Sequence, residues 1–185
     1  MDPRLVERAQ AGDQEAFAAL AADAIGHLNA VARLVLRDDD AADDAVQETL
    51  VSAWRNMRAL RDVERFPAWL NRLLIRACYD RGRRDRRRRV VEIQAAPNHE
   101  PTTADTQASL ALRDLLERGL TRLPTDQRAA IVAVYYLDLP IKDAAAMLGI
   151  PDGTLKSKLH RSLDALHAAV DADDRPRTQA QESIA

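Results

Sequence analysis

The stretch IPDGTLKSKLHRSL, residues 150–163, has basic and hydroxyl side chains on one side of a predicted helix and leucines on the other. Leu155, Leu159 and Leu163 recur at helical spacing and form the inner face. On or near the outward face of the N-terminal half lie Thr154, Lys156, Ser157, Lys158 and Arg161. Such groups hydrogen-bond to phosphates and base edges, so the pattern favours nucleic-acid binding. A solvated basic face on a structural helix is the alternative.

The elements around this helix must present it to a partner. Ile141, Ala144, Ala145 and Leu148 predict a short preceding helix that stops at Gly149, where glycine can adopt the left-handed conformation. Asp152 is placed to cap the helix that follows. A short helix, a tight turn and a second amphipathic helix form a helix-turn-helix pattern. Short helical pairs are common in all-α proteins, so this pattern alone leaves both interpretations open.

Charge is sorted into blocks along a chain of 185 residues whose net charge is only −2. Residues 76–89 contain eight arginines and two aspartates, whereas residues 38–48 contain six acids and no base. The low net charge argues against a protein that coats nucleic acid through an overall positive field. The blocks indicate separate surfaces for separate partners.

Apolar residues recur every three or four positions, and no strand-like alternation is found, so we expect an all-α fold. Three stripes can share one core: residues 17–35 after an Asp13 cap, residues 42–57, and residues 66–77. Further helices are predicted around Leu112–Leu123, around residues 131–135, and from residue 141 onward. We predict two small helical domains, the second with the helix-turn-helix, joined by a flexible linker: residues 1–89, linker 90–107, residues 108–170, and a polar tail, 171–185, that frays.

Several function classes are not favoured by the sequence. It has no run of about 18 apolar residues and no secretory signal at the N-terminus, so we expect no membrane insertion and a cytoplasmic location. Cys78 is the single cysteine and the four histidines are scattered, so no disulfide, metal site or cofactor is expected.

Three segments resemble the extracytoplasmic-function (ECF) group of bacterial sigma factors. GLTRLPTDQRAAIVAVYYLDLPIKDAAAMLGIPDGTLKSKLHRSLDAL is similar to region four, in which L-P-x-x-x-R precedes the helix-turn-helix and G-T-x-K-S opens its second helix. DDAADDAVQETLVSAWRNM resembles a region two helix, and FPAWLNRLLIRACYDRGRR resembles its continuation. The segments follow the family's order over about 150 residues.

The resemblance implies a non-enzymatic subunit that directs bacterial core RNA polymerase to promoter DNA, with an anti-sigma factor as a further partner. Minus-thirty-five DNA would meet the second helix of the helix-turn-helix, called the recognition helix below. The residues concerned are Thr154, Lys156, Ser157, Lys158 and Arg161. Minus-ten DNA would meet Arg58, Arg61, Arg65, Arg76, Asp80, Arg81, Arg83 and Arg84. Core polymerase would meet Asp43, Asp44, Gln47, Glu48 and Arg55. Arginines hold phosphates, and a protein can trap a base that has left the stack, so the minus-ten set fits DNA opening. An acidic helix face suits a basic partner surface.

Two positions depart from the family pattern, and several alternatives stay open. Arg76 stands where asparagine is usual, so the family's minus-ten base preference does not carry over, and Pro140 replaces a common capping residue.

The acids at 38–44 could simply stabilise a helix N-terminus, and Arg86–Arg89 could be a disordered basic tail. Trp54 and Trp69 are assigned to the core. An autonomous DNA-binding regulator and a helical adaptor are the rival functions; a calcium-loop spacing is absent from the acidic block.

Overall fold

The computed structural model describes residues 1–91, 120 and 123–182, which form seven α-helices and, within these ranges, no strand. The helices are α1 (Pro3–Gln10), α2 (Gln14–Leu36), α3 (Asp39–Asn56), α4 (Phe66–Val91), α5 (Thr125–Ile131), α6 (Ile141–Leu148) and α7 (Asp152–Glu182). Two 3-10 turns, Met57–Ala59 and Val63–Arg65, connect α3 to α4, and a π-helical turn, Val132–Tyr136, extends α5. The all-α prediction is confirmed.

Aspartates begin the first three helices. Asp2, Asp13 and Asp38 each accept a hydrogen bond from a backbone N–H of the following first turn, at 2.9, 3.0 and 2.8 Å. The predicted Asp13 cap is therefore confirmed. The N–H of Ala16 and the Arg8 side chain lower the pKa of Asp13 below its ordinary value. This cap stabilises the fold above the ordinary aspartate pKa, and the contribution is lost as the pH falls through the lowered value.

The first three predicted stripes meet in one core, as expected from their periodicity. Leu20, Leu28, Val31 and Val35 of α2 are buried against α3 and α4. The α3 residues of that core are Ala42, Ala45, Val46, Thr49 and Ala53, and those of α4 include Phe66, Leu70, Leu74 and Ile75. Trp54 and Trp69 lie half-buried at its edge, with their rings 5.1 Å from Phe17 and 5.9 Å from Phe66, centroid to centroid.

Helix α2 is long and apolar enough, by length and composition, to cross a membrane. Its apolar stripe is instead packed inside the protein, where Val31, Ala32 and Val35 have no exposed surface. Core helices commonly pass the same test, so this helix is weak evidence for membrane insertion.

The C-terminal half supplies the predicted helix-turn-helix. Gly149 ends α6 in the left-handed conformation, with φ at +67°, and its N–H donates to the carbonyl of Ala146. Pro140 precedes α6 without a side-chain cap, as its chemistry requires. Asp152, the expected cap, is the first residue of α7. The helix predicted around Leu112–Leu123 and most of the predicted linker lie outside the described residues.

One helix boundary differs from the sequence prediction. Helix α4 continues through the arginine block to Val91, and α7 continues to Glu182 rather than ending near residue 170. Polar composition does not prevent a helix, since arginine, glutamine and alanine are all good helix formers. The backbone of the arginine block is therefore helical.

The two halves pack on each other in this structure. Ala129, Ala130, Ala145 and Leu148 from the C-terminal half belong to the same buried cluster as Leu74 and its neighbours from the N-terminal half. Helix α5 lies against α2 and α4, and α6 lies against α4. We refer to this arrangement as the closed packing.

Candidate nucleic-acid interface

The recognition helix presents most of its predicted face to solvent. Thr154, Lys156, Ser157 and Arg161 are exposed along the first turns of α7, while Leu155 and Leu159 are buried beneath them. Ser157 and Arg161 are tied to their own helix, since the Ser157 hydroxyl donates to the Gly153 carbonyl at 2.9 Å and Arg161 Nε donates to the Ser157 carbonyl at 3.1 Å. The face is thus exposed, and two of its side chains are held by hydrogen bonds to their own helix.

Lys158 departs from the predicted outward direction. Its side chain is only 12% exposed, and its ammonium is hydrogen-bonded to the carboxylate of Asp126, which is itself buried. Arg86 of α4 reaches the same carboxylate at 3.6 Å. Lys158 follows Leu155 by three positions, so it borders the buried face, and a buried carboxylate attracts a cation. One carboxylate therefore holds cations from both halves of the molecule.

The predicted minus-ten residues occupy two neighbouring places. Arg58, Arg61 and Arg65 are exposed on the loop between α3 and α4, and Arg65 Nε lies 3.1 Å from Asp62. The others, Arg76, Asp80, Arg81, Arg83 and Arg84, lie on α4, where Arg84 is exposed and Arg83 lies over the Tyr79 ring at 5.8 Å. The structure thus brings a basic loop and a basic helix together on one half.

Arg76 reaches across to the C-terminal half while its side chain stays partly exposed. Its Nε donates to Asp80 at 2.8 Å, and a terminal nitrogen donates to the Met147 carbonyl at 2.9 Å, in the last turn of α6. A cation at the end of a helix satisfies an orphan carbonyl and opposes the negative end of the helix dipole. The unusual arginine is therefore part of the closed packing.

The predicted polymerase-binding residues all lie on the exposed face of α3. Asp43, Asp44, Gln47, Glu48 and Arg55 are exposed, and Asp44 pairs with Arg81 at 3.3 Å. Asp43 lies 3.9 Å from Arg33, which also pairs with Asp39. The sequence analysis missed Val51, whose side chain lies on the same face and is 49% exposed. An apolar residue ringed by charges is typical of a protein-binding surface, and its i+4 spacing from Gln47 was the available signal.

The single thiol is not poised for chemistry. Cys78 is fully buried on α4, and desolvation raises its pKa to about 12. Thiolate is the reactive form, so almost none is present near neutral pH. We expect the native protein to react negligibly with a thiol reagent at pH 8 and to give one equivalent after unfolding in guanidinium chloride. Rapid labelling of the folded protein would contradict this burial.

Comparison with known proteins matches the two halves to two regions of the same protein family. Residues 23–88 match the family described as sigma-70 region 2, and residues 104–166 match sigma-70, region 4. The chain is 35% identical over 161 residues to the ECF RNA polymerase sigma factor SigM of Mycobacterium tuberculosis, covering 87% of this chain and 80% of that protein.

Solved structures of similar architecture agree with this match. One is the sigma factor RpoE in complex with the anti-sigma factor NepR from Bartonella quintana, with 29% identity, a TM-score of 0.63, and coverage of 85% of this chain and 98% of that one. Another is CnrH in complex with the cytosolic domain of CnrY, with 28% identity, a TM-score of 0.56, and coverage of 93% and 98%.

Proposed function

The chain belongs to the ECF group of bacterial RNA polymerase sigma factors, and from this we propose how its surfaces divide the work of promoter-specific initiation. As a sigma factor it binds core RNA polymerase and promoter DNA. The observation that carries the proposal is the presence of two exposed basic surfaces, one in each matched region, beside a separate acidic helix face. An autonomous regulator is not favoured, since it would have no use for the exposed face of α3.

The recognition helix would read minus-thirty-five DNA. The exposed Lys156 and Arg161 can pair with phosphates or with guanine edges in the major groove, and Thr154 and Ser157 can contact either bases or backbone. Lys158 would join them only after leaving Asp126, because the carboxylate and a phosphate compete for one ammonium. DNA binding and release of this ion pair would therefore be linked.

The loop after α3 and the basic side of α4 would bind minus-ten DNA. Arg58, Arg61 and Arg65 project from a short, partly anchored loop, a suitable position for contacts to unpaired bases and their phosphates. Arg81, Arg83 and Arg84 would follow the backbone along α4. Arg76 and Asp80 would become available once the Met147 carbonyl is released.

Core polymerase would dock on α3. The acids and Gln47 surround Val51, so apolar contact at the centre and charge pairing at the rim would act together. The acids Asp39 and Asp40 at the start of this helix also oppose its positive end, so both roles of the acidic block are compatible.

The closed packing fits an inactive state. It engages Arg76 and Arg86 in contacts that cross between the halves, to the Met147 carbonyl and to Asp126, and these contacts would compete with DNA phosphates for the same donors. A partner that stabilises this packing would act as an anti-sigma factor, and the complex of the similar protein RpoE supports such a partner for this chain. The role requires no catalytic group or cofactor, and we place it in the cytoplasm, where polymerase and chromosome meet.

Run-off transcription tests the function. The purified protein is mixed with bacterial core polymerase and genomic DNA, and transcript starts are sequenced. We expect starts that share spaced minus-ten and minus-thirty-five elements and that disappear without the protein. Tight specific DNA binding unaided by polymerase, with no transcripts, would support the autonomous regulator, and absence of both would support an adaptor.

Paired variants separate the two surfaces. Lys156→Ala with Arg161→Ala should lower promoter-dependent transcription about tenfold and reduce the salt dependence of promoter binding by about one ion per contact, with core affinity unchanged. Asp44→Lys with Glu48→Lys should weaken core binding and leave the recognition helix intact. Arg4→Ala, an exposed cation on α1, is the control. Loss of core binding and DNA binding together in the α7 variant would mean that α7 is purely structural.

A further inference from the structure

The N-terminal helix contacts the loop that carries Arg58, Arg61 and Arg65. Gln10, the last residue of α1, is half-buried, and its side-chain amide nitrogen lies 2.6 Å from the Leu60 carbonyl oxygen and 3.2 Å from that of Met57. Both partners are acceptors, so the two amide hydrogens face them. We propose that Gln10 is a positioning residue that fixes this loop for minus-ten DNA, an inference that rests on the proposed function.

The two carbonyls bracket the first turn of the loop. Met57 O also accepts from the Leu60 N–H at 3.2 Å, closing the 3-10 turn Met57–Ala59. Gln10 therefore ties the start and the end of this turn to one point on α1. Arg58 projects from inside the turn, and Arg61 directly follows Leu60.

Apolar side chains also hold this loop, but they do not fix its orientation. Met57, Leu60 and Phe66 are buried, so the loop is attached to the core at three apolar points. Apolar contact is not directional, whereas hydrogen bonds to carbonyls fix the orientation of peptide planes. The apolar anchors therefore hold the loop on the core, and Gln10 fixes the direction in which its exposed arginines project.

Helix α1 is itself held rigidly enough to serve as this support. Val6 and Ala9 are buried against α2, and the Arg8 guanidinium lies 2.6 Å from Asp13, the cap of α2. The turn between the helices places Gly12 at φ +99°, a conformation that glycine adopts readily. The amide of Gln10 therefore belongs to a fixed frame shared by α1 and α2.

Substitutions at Gln10 can be graded by chemistry. Gln10→Glu keeps the shape but places carboxylate oxygens against two carbonyl oxygens, which repel them. Gln10→Leu removes the donors without adding repulsion, and Gln10→Lys restores a donor. The exposed Gln14→Glu on α2 is the matched control for the added charge.

The experiment uses the full chain with core polymerase on a promoter found by the run-off mapping. The promoter is prepared as a duplex and as a template whose minus-ten segment is already unpaired and mismatched. We expect duplex opening, measured by permanganate reactivity, to fall about tenfold in Gln10→Glu, less in Gln10→Leu and least in Gln10→Lys. Core affinity should stay unchanged, and the premelted template should recover part of the loss.

Three results would decide against the inference. Wild-type opening by Gln10→Glu, or an equal loss in Gln14→Glu, would show that the amide does not position the loop. A parallel loss of core affinity in both Gln10→Glu and Gln10→Leu would show a general structural role. Failure of the wild-type protein to start any transcript would overturn the proposed function, and this inference with it.

Discussion

Replacing Gly82 with alanine is expected to shift the protein from the closed packing towards an open one by about tenfold or more, because overpacking costs about 1–3 kcal/mol. A Cβ added at Gly82 on α4 would lie 2.6 Å from Thr125 Cβ and 2.7 Å from its Cγ2. Thr125 is the first residue of α5, so its Cβ cannot move away without moving the helix. The two halves must therefore separate.

The same change favours helix α4 itself. In a helix interior alanine is more favourable than glycine by about 1 kcal/mol of helix propensity. The φ of Gly82 is not in the positive region, so alanine can adopt its backbone conformation. The substitution therefore strains the contact between the halves and not the fold of the N-terminal half. This separates opening from simple loss of stability.

Small-angle scattering of the full chain measures the effect as an increase in radius of gyration, and promoter binding without polymerase measures its consequence. Release of Arg76 from the Met147 carbonyl and of Arg86 from Asp126 should strengthen that binding. Gly26→Ala on α2, where an added Cβ meets nothing within 4 Å, is the control, and Thr125→Gly in the Gly82→Ala background should restore the closed dimensions. An unchanged radius and unchanged DNA affinity would show that the closed packing does not hide the DNA surfaces.

The periodic features of the sequence led directly to the fold. Stripes of leucine, alanine and valine located the helices, since burial of one face leaves a three- and four-residue spacing. The exposed faces of α3 and of the start of α7 followed from the same stripes, because whatever is not buried must face outward. Their assignment to polymerase and DNA came from the family resemblance.

The long-range polar contacts could not be predicted in this way. Arg128 donates to the carbonyl of Val35, 93 positions earlier, and Gln10 to that of Leu60, 50 positions later. Lys158 looked like a member of the outward face because its partner, Asp126, lies 32 positions away on α5. The spacing of apolar residues locates the buried face of a helix. It does not indicate which distant oxygen atom a single polar side chain binds. Of these three contacts, the bond of Arg128 to Val35 crosses between the halves, whose arrangement sequence reasoning left open.

Arg128→Met is expected to lower the free energy of unfolding by about 3 kcal/mol, because each buried carbonyl that loses a charged donor costs about 1–3 kcal/mol. Arg128 is 6% exposed. Its guanidinium donates to the carbonyls of Val35 and Leu123 at 2.5 Å each and to that of Leu36 at 3.3 Å. Methionine fills similar apolar space but leaves these oxygens without a donor.

Two features explain why the loss should be so large. Val35 and Leu36 are the last residues of α2, where the carbonyls have no partner within the helix. Desolvation lowers the pKa of Arg128 to about 10, so the group is still charged at neutral pH and its hydrogen bonds are charge-assisted.

Urea unfolding at pH 7 measures the change. Arg33→Met, which removes an arginine that is half-exposed on α2, is the control and should cost less than about 0.5 kcal/mol. Arg128→Lys keeps the charge with fewer directed donors and should fall between the two. A loss below about 1 kcal/mol in Arg128→Met would contradict the assigned role.

The bonds of Arg128 fall into two groups that a double-mutant cycle can separate. Those to Leu123 and Thr125 stay within the C-terminal half, whereas those to Val35 and Leu36 cross to the other half. If Gly82→Ala opens the closed packing, the crossing bonds are already lost, so Arg128→Met should cost less in that background by about 1 kcal/mol or more. Equal costs in the two backgrounds would confine the action of Arg128 to its own half. The closed packing would then depend on apolar contact and on the polar contacts Arg86–Asp126 and Arg76–Met147.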